Sequence, residues 1–153
     1  MDSKNQFFSN TFPRKIFLII FLIFIISILI FKNNIFESTL LLKKFGNYSM
    51  DPQLAFSNKK PTYLEFYAEW CEVCREMAPD IIQLKKDFDK DINFVFLNVD
   101  NPKWDKYVKK FDVNGIPQIN IIDSNSNLLS TLTGLQDENN LKESIKVLFG
   151  NGI

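Results

Sequence analysis

The segment from Tyr63 to Pro79, YLEFYAEWCEVCREMAP, joins a strand-like run to a helix-like run and holds both cysteines of the chain. Residues 62–68, TYLEFYA, are rich in the aromatic types that favour strands. After Cys71 the apolar residues recur at spacings of four, three and four, which predicts one buried face of a helix. These residues are Met77, Ile81, Leu84 and Phe88. The segment therefore predicts a strand, a junction at Cys71, and a helix that begins around Glu72 and carries Cys74.

The alternation of strands and helices continues outward from this segment. Residues 92–99, INFVFLNV, are apolar on both alternating sets, as in a strand covered on both faces. Asn101 and Pro102 then start a helix, and residues 118–133 predict a hairpin. A last helix begins at a cap near Asp137 and ends at Gly150. The order predicts an α/β fold, a central mixed sheet with helices on both faces.

A long apolar segment near the N-terminus predicts a transmembrane helix. Residues 16–31, IFLIIFLIFIISILIF, contain no charge, and lysines flank the segment on both sides. A helix of this length reaches roughly 24 Å, and the flanking lysines can extend toward the interface. The alternatives are a buried core helix, which would show a polar face, and a cleaved signal peptide. We expect a retained anchor, and the flanking charges lean slightly toward a cytoplasmic N-terminus.

The expected organisation has four parts. They are a short tail at 1–15, a transmembrane anchor at 16–32, a linker at 33–50 and a globular domain at 51–153. The chain has 18 basic and 18 acidic residues, and the excess of acid lies in the globular part. An acidic domain argues against nucleic acid as a partner, because binding to phosphates needs clustered lysine and arginine.

The two cysteines limit the chemistry that the chain can perform. The chain has no histidine, so a Cys–His hydrolase is excluded and one subunit cannot complete a four-ligand zinc site. A structural disulfide would close a very small loop and restrain little of the unfolded chain. At the start of a helix, by contrast, the free N–H groups and the helix dipole lower the pKa of the Cys71 thiol. Cys74, one turn further on, can attack a mixed disulfide on Cys71, which predicts thiol–disulfide exchange.

Two segments carry a resemblance to a known family. FYAEWCEVC, residues 66–74, resembles the WCGPC active-site segment of thioredoxins, and VNGIPQINIID, residues 113–123, resembles their Ile–Pro landmark. The resemblance covers about 51–149 and implies the thioredoxin fold. It implies Cys71 as the nucleophile and Cys74 as the resolving thiol.

The same resemblance assigns roles to residues around the two cysteines. It implies a cis Pro117 beside them, an Ile116 backbone that pairs with the substrate, and Trp70 packed by the site. Glu65 matches the buried acid of thioredoxins, which makes it a candidate proton acceptor for Cys74. The alternative for Glu65 is an exposed strand glutamate.

EFYAEWCEVCREMAPD, residues 65–80, together with NFVFLNVDNPKW, residues 93–104, resembles a narrower group. These are the membrane-anchored thioredoxin-like thiol:disulfide interchange proteins of cyanobacteria and chloroplast thylakoids. The likeness implies a domain on the lumenal or periplasmic side and a lipid bilayer contact through residues 16–32. It implies client proteins with disulfides, such as apocytochromes, and a membrane dithiol electron donor. It implies a redox-active cysteine pair, with no other cofactor and no metal.

Two departures from ordinary thioredoxins and one contrast with their oxidising relatives concern the cysteine pair and its surroundings. Glu72 and Val73 replace the usual Gly-Pro pair, and the charge of Glu72 should raise the pKa of the nearby thiol and favour a stronger reductant. Phe96 stands where a lysine often accompanies the buried acid. No histidine lies between the cysteines, the residue that strongly oxidising relatives use to stabilise the reduced thiolate. We therefore expect a protein disulfide reductase. A disulfide oxidase or isomerase is the close alternative, and a non-catalytic binding module that presents residues 116–117 is the alternative from another class.

Overall fold

The computed structural model describes residues 11–149, and the described chain divides into two compact units. The first unit ends at Phe36 and the second begins at Glu37. The first ten residues of the predicted tail and the predicted helix stop at Gly150 lie outside the described residues.

The first unit is helical. Helix α1 runs from Thr11 to Tyr48, and its residues up to Phe36 belong to this unit. Within the described chain, Arg14–Lys32 is the single stretch that is both long and apolar enough to cross a membrane, and none of it is buried. A core helix of a soluble protein would bury one face. The stretch is therefore a candidate membrane span, consistent with a single-pass membrane protein.

A four-stranded sheet forms the centre of the second unit. Its strands are β1 (Thr62–Tyr67), β2 (Asn93–Asn98), β3 (Gln118–Ile122) and β4 (Leu128–Thr133). Their spatial order is β2-β1-β3-β4. Strands β1 and β2 are parallel, whereas β1 with β3 and β3 with β4 are antiparallel. The sheet is mixed, and the predicted fold class is confirmed.

Helices connect the strands and close the unit. They are α2 (Pro52–Ser57), α3 (Glu72–Phe88), α4 (Asp105–Lys110) and α5 (Glu138–Lys146), with 3₁₀ turns at Pro102–Trp104 and Val147–Phe149. Two of the starts follow the predicted caps. The side chain of Asp137 accepts a hydrogen bond from Asn140 N at 2.8 Å, and Asn101 caps the 3₁₀ turn that leads into α4. Asparagine and aspartate satisfy the free N–H groups at such ends.

The two faces of the sheet bury two separate apolar clusters, as alternation along the strands requires. One cluster contains β1 residues Tyr63 and Tyr67, the buried face of α3, and Leu141 and Ile145 of α5. The other contains β1 residues Leu64 and Phe66, together with side chains of α2, α4 and β2. Both clusters include β2 residues, and β1 is buried throughout. The predicted helices on both faces are present.

The structure differs from the linker that we expected at 33–50. Residues up to Tyr48 are helical, and the compact unit begins at Glu37. Leu42 and Phe45, three residues apart on α1, are buried in the same cluster as Tyr63. The Phe45 ring stacks on Phe96 of β2, with the ring centroids 4.6 Å apart. An apolar pair at helical spacing is too short a pattern to stand out in the sequence. In the fold, this pair belongs to the cluster that buries the aromatic side chains on this face of the sheet.

Replacement of Phe45 by alanine tests this packing. Because Phe45 is buried against an aromatic partner, we expect the change to lower the free energy of unfolding by about 3 kcal/mol. The neighbouring Lys44→Ala, on an exposed side chain, should change it by less than about 0.5 kcal/mol. Urea unfolding of a fragment that starts at Glu37 measures both. Equal values for the two variants would show that these residues are a linker after all.

Candidate active site

The two cysteines form a disulfide where β1 leads into α3. The Cys71–Cys74 bond is present, with the Cα atoms 5.3 Å apart. Cys71 is the residue that caps α3, and its Sγ accepts a hydrogen bond from the backbone N–H of Cys74 at 3.1 Å. Cys71 is 5% exposed and Cys74 is fully buried. Any partner that approaches from solvent therefore reaches Cys71 before Cys74.

The position of Cys71 follows from local sequence. The helix begins at Glu72, as predicted, and the side chain of Glu72 is exposed on its first turn. Cys71 has extended backbone geometry, which is the conformation of a helix-capping residue. Its sulfur faces the N–H groups that have no partner within the helix, and these favour a thiolate once the disulfide is reduced.

The loop before Cys71 is held by three hydrogen bonds. Cys71 N donates to Ala68 O, the Arg75 guanidinium donates to Glu69 O at 2.8 Å, and Trp70 Nε1 donates to Asp100 Oδ2 at 2.9 Å. The indole of Trp70 is 65% exposed. The loop thus presents a fixed aromatic surface immediately beside the cysteine pair.

Asp100 is a residue of this site that the sequence reasoning missed. Strands β1 and β2 are parallel, with Tyr67 opposite Asn98. The residues that follow these two strands therefore meet at one edge of the sheet, and this brings Asp100 to Trp70. The sequence does contain a signal for this pair. Trp70 and Asp100 each follow a predicted strand, and neighbouring parallel strands end side by side.

Glu65 is buried, so the alternative of an exposed strand glutamate is wrong. Its side chain is 1% exposed, and Oε2 accepts a hydrogen bond from the Tyr63 hydroxyl at 2.9 Å. Glu65 alternates with Tyr63 and Tyr67, so it lies on the face of β1 whose cluster contains Cys74. Burial raises the pKa of Glu65 to about 8, while the hydrogen bond from Tyr63 acts in the lowering direction. A carboxyl group with this pKa can take up or release a proton near neutral pH.

Phe96 occupies the strand position opposite Glu65. No cation therefore reaches Glu65 from that position, in line with the departure that we identified in the sequence. The ring of Phe96 is instead covered by Phe45 of α1. An apolar ring at this position can be buried beneath α1, whereas an ammonium group there would need hydration.

The Ile116–Pro117 peptide is cis, as the resemblance implies. Pro117 is buried directly before β3, and its carbonyl accepts a hydrogen bond from Gly134 N at 2.9 Å. Gly134 has a positive φ of 83°, a conformation that favours glycine. Ile116 is partly buried against both apolar clusters. The β3 pairings in the described ladder begin at Gln118, so the backbone of Ile116 precedes them.

The fold and the paired cysteines define a thioredoxin-fold domain with a dithiol site. The thioredoxin family model matches residues 45–147, and the chain belongs to this family. The match begins within α1, in agreement with a domain that starts earlier than residue 51.

Comparison with individual proteins shows which members of the thioredoxin family the chain resembles. The chain is 40% identical over 107 residues to a chloroplastic thioredoxin-like protein, HCF164, of Arabidopsis thaliana, with 70% of this chain and 41% of the relative covered. It is 40% identical over 94 residues to a thiol:disulfide interchange protein, a TxlA homologue of Synechocystis, with 61% and 52% covered. A thioredoxin of Buchnera aphidicola is 28% identical over 96 residues, with 62% of this chain and 84% of the relative covered. The chain thus spans about half or less of the length of the Arabidopsis and Synechocystis relatives. The predicted resemblance to thylakoid and cyanobacterial interchange proteins is confirmed.

Proposed function

We propose that this protein is a membrane-tethered thiol:disulfide oxidoreductase that reduces disulfides of client proteins. The observation that carries the proposal is the Cys71–Cys74 disulfide at the first turn of α3, with Cys71 on the outer side. Relatives named as thiol:disulfide interchange proteins support the same chemistry. We expect the exchange to need no cofactor or metal beyond the cysteine pair.

The proposed reaction has two exchange steps that start from the reduced pair. The Cys71 thiolate attacks a client disulfide, forms a mixed disulfide and releases the first client thiolate. Cys74 then loses its proton, with Glu65 as the proposed acceptor, and attacks Cys71 Sγ. The Cys71–Cys74 bond forms and the second client sulfur leaves as a thiolate. The client gains two electrons and the cysteine pair returns to the disulfide state seen in the structure.

Client binding is assigned to the surface beside Cys71. We propose that the exposed indole of Trp70 contacts the client and that the backbone of Ile116, next to cis-Pro117, pairs with an extended client segment. The position of Ile116 before the β3 ladder supports this role, because an extended peptide can form main-chain hydrogen bonds with backbone that lies outside the ladder.

The apolar stretch Arg14–Lys32 supports the membrane tether. We propose that the domain faces the thylakoid lumen or the periplasm, in line with relatives from a chloroplast and a cyanobacterium. There it would keep cysteines reduced in proteins such as apocytochromes, with electrons supplied by a dithiol carrier in the membrane.

The reduction potential of the cysteine pair tests the direction of exchange. We expect a value near or below about −270 mV, the range of thioredoxin, measured by equilibration with dithiol buffers. A value above about −180 mV would make the protein a disulfide oxidase or isomerase, and failure to cycle would favour a binding module.

Glu72 offers a matched pair of variants for the same measurement. Glu72→Gln removes a charge beside Cys71 and should raise the potential by about 10–20 mV, because the thiolate of the reduced form is then better stabilised. Glu76→Gln, one turn further along α3 and also exposed, should leave the potential nearly unchanged.

A further inference from the structure

Glu65 has one satisfied and one unsatisfied oxygen. Oε2 accepts the hydrogen bond from Tyr63, whereas Oε1 is buried and has no hydrogen-bond partner among the described residues. A buried oxygen that lacks a partner is costly, and such atoms in native proteins call for an explanation. The arrangement fixes the carboxyl group through one oxygen and leaves the other available.

Tyr63 is the polar group that holds this carboxyl group. The remaining side chains of the surrounding cluster are mostly apolar: β2 contributes Phe94 and Phe96, β3 contributes Ile119 and Ile121, α1 contributes Leu42 and Phe45, and α5 contributes Leu141 and Ile145. The titratable groups of the same described cluster are Tyr63, Tyr67, Cys71 and Cys74. Burial, and secondarily the charge of Glu65, raises the pKa of Tyr63 well above its ordinary value. Tyr63 therefore keeps its proton and remains the donor.

We infer that Tyr63 is a positioning residue for the resolving step. Its hydroxyl holds Oε2 of Glu65, so that Oε1 stays free to accept the proton of the Cys74 thiol. The inference rests on the proposed dithiol exchange and adds a residue to it. The basic partner that the family resemblance leads one to expect is absent because Phe96 stands opposite Glu65. A neutral hydroxyl on the same strand takes over the task of orienting the acid.

The step that Tyr63 supports conserves atoms and electrons. In the mixed disulfide, Cys71 Sγ is bonded to a client sulfur. The Cys74 proton moves to Glu65 Oε1, and the Cys74 thiolate forms the Cys71–Cys74 bond as the bond to the client sulfur breaks. The client sulfur leaves with the electron pair and is protonated by water. Glu65 later returns its proton to solvent.

Tyr63→Phe tests this role in the full-length protein in detergent. The reduced protein is mixed rapidly with the symmetric disulfide of thionitrobenzoate. The first equivalent of released thionitrobenzoate reports the attack by Cys71, and the second reports resolution by Cys74. Because the hydrogen bond from Tyr63 lowers the pKa of Glu65, its loss leaves less carboxylate at pH 7. We expect the second release to slow about 10-fold at pH 7 and its pH midpoint to rise by about one pH unit. The first release should not change.

Tyr67→Phe is the matched control, since Tyr67 lies on the same face of β1 and its hydroxyl lies beside Gly46, where a side chain on that residue would meet it. It should leave the midpoint of the second release unchanged. A midpoint in Tyr63→Phe equal to that of the wild type, or an equal rise in Tyr67→Phe, would overturn the inference.

A Glu65→Gln background separates positioning from a merely structural effect. If Tyr63 acts through Glu65, then Tyr63→Phe should slow the second release no further once Glu65 is glutamine. A further slowing in the double variant equal to that seen in the single variant would contradict the inference. A wild-type protein that released a single equivalent would overturn the proposed function itself, and the inference with it.

Discussion

Replacement of Cys71 by serine is expected to abolish reduction of client disulfides, with a loss in rate of at least about 10³-fold. The hydroxyl of serine is not ionised at neutral pH, and it cannot form the mixed disulfide through which exchange proceeds. Reduction of a small disulfide-bonded protein such as insulin, followed in the presence of excess dithiol, measures the effect. Unchanged reduction by Cys71→Ser would contradict the assignment of Cys71 as the nucleophile.

The complementary change, Cys74→Ser, should stop the reaction one step later. Cys71 can still attack a client, but no second thiol resolves the product, so the client remains attached. We expect a covalent complex that survives denaturing electrophoresis and disappears on treatment with excess reductant. The double variant, with both cysteines replaced by serine, is the control. An absence of covalent complexes with Cys74→Ser, under conditions in which the wild type turns over, would contradict the assignment of Cys71 as nucleophile.

The wild-type protein is expected to lose about 3–5 kcal/mol of unfolding free energy between pH 5 and pH 9 because of Glu65. Replacement of Glu65 by glutamine should abolish this loss. Burial raises the pKa of Glu65 from 4.5 to about 8, so the folded protein retains a proton that the unfolded chain releases. The contribution of Glu65 is therefore fully present below about pH 4.5 and is lost as the pH rises through about 8. Each pH unit between these values costs about 1.4 kcal/mol. The amide of glutamine stays neutral over this pH range, so the variant should not show this decline in stability.

Urea unfolding of a fragment that starts at Glu37, at pH 5, 7 and 9, measures the effect. The difference in unfolding free energy between Glu65→Gln and the wild type should move in favour of glutamine as the pH rises. Any constant cost from the buried amide cancels in this comparison. Glu76→Gln, at an exposed position on α3, should follow the wild type at every pH. A difference that stays constant from pH 5 to pH 9 would mean that Glu65 is ionised within the fold.

The largest elements and the cysteine site could be predicted because their signals are local. The apolar stripe of α3 is buried at Met77, Ile81 and Leu84, and its four-three spacing is visible without any knowledge of the partner. The same is true of β2, which is apolar on both faces. The distance between Cys71 and Cys74 is set by their separation of three positions and by the start of α3 at Glu72. Such features need no distant contact to be recognised.

The start of the domain could not be predicted in the same way. Leu42 and Phe45 form a stripe of one turn, and nothing in residues 37–48 shows that Phe96 lies opposite them. The pairing of Trp70 with Asp100 likewise joins residues 30 positions apart. It exists because two parallel strands end at the same edge of the sheet.

Residue types and local spacing were enough to predict the order of strands and helices, the thiol pair at a helix start and the apolar stretch that can cross a membrane. These depend on residue type and on spacing within one or two turns. The packed fold was needed to show that Glu65 is buried, that Tyr63 holds one of its oxygens and that Phe45 covers Phe96. Burial sets the pKa of a carboxyl group, and burial is a property of the elements that pack above it. A glutamate in a strand therefore acquires its chemistry only when α3 and the end of α1 close over that face of the sheet.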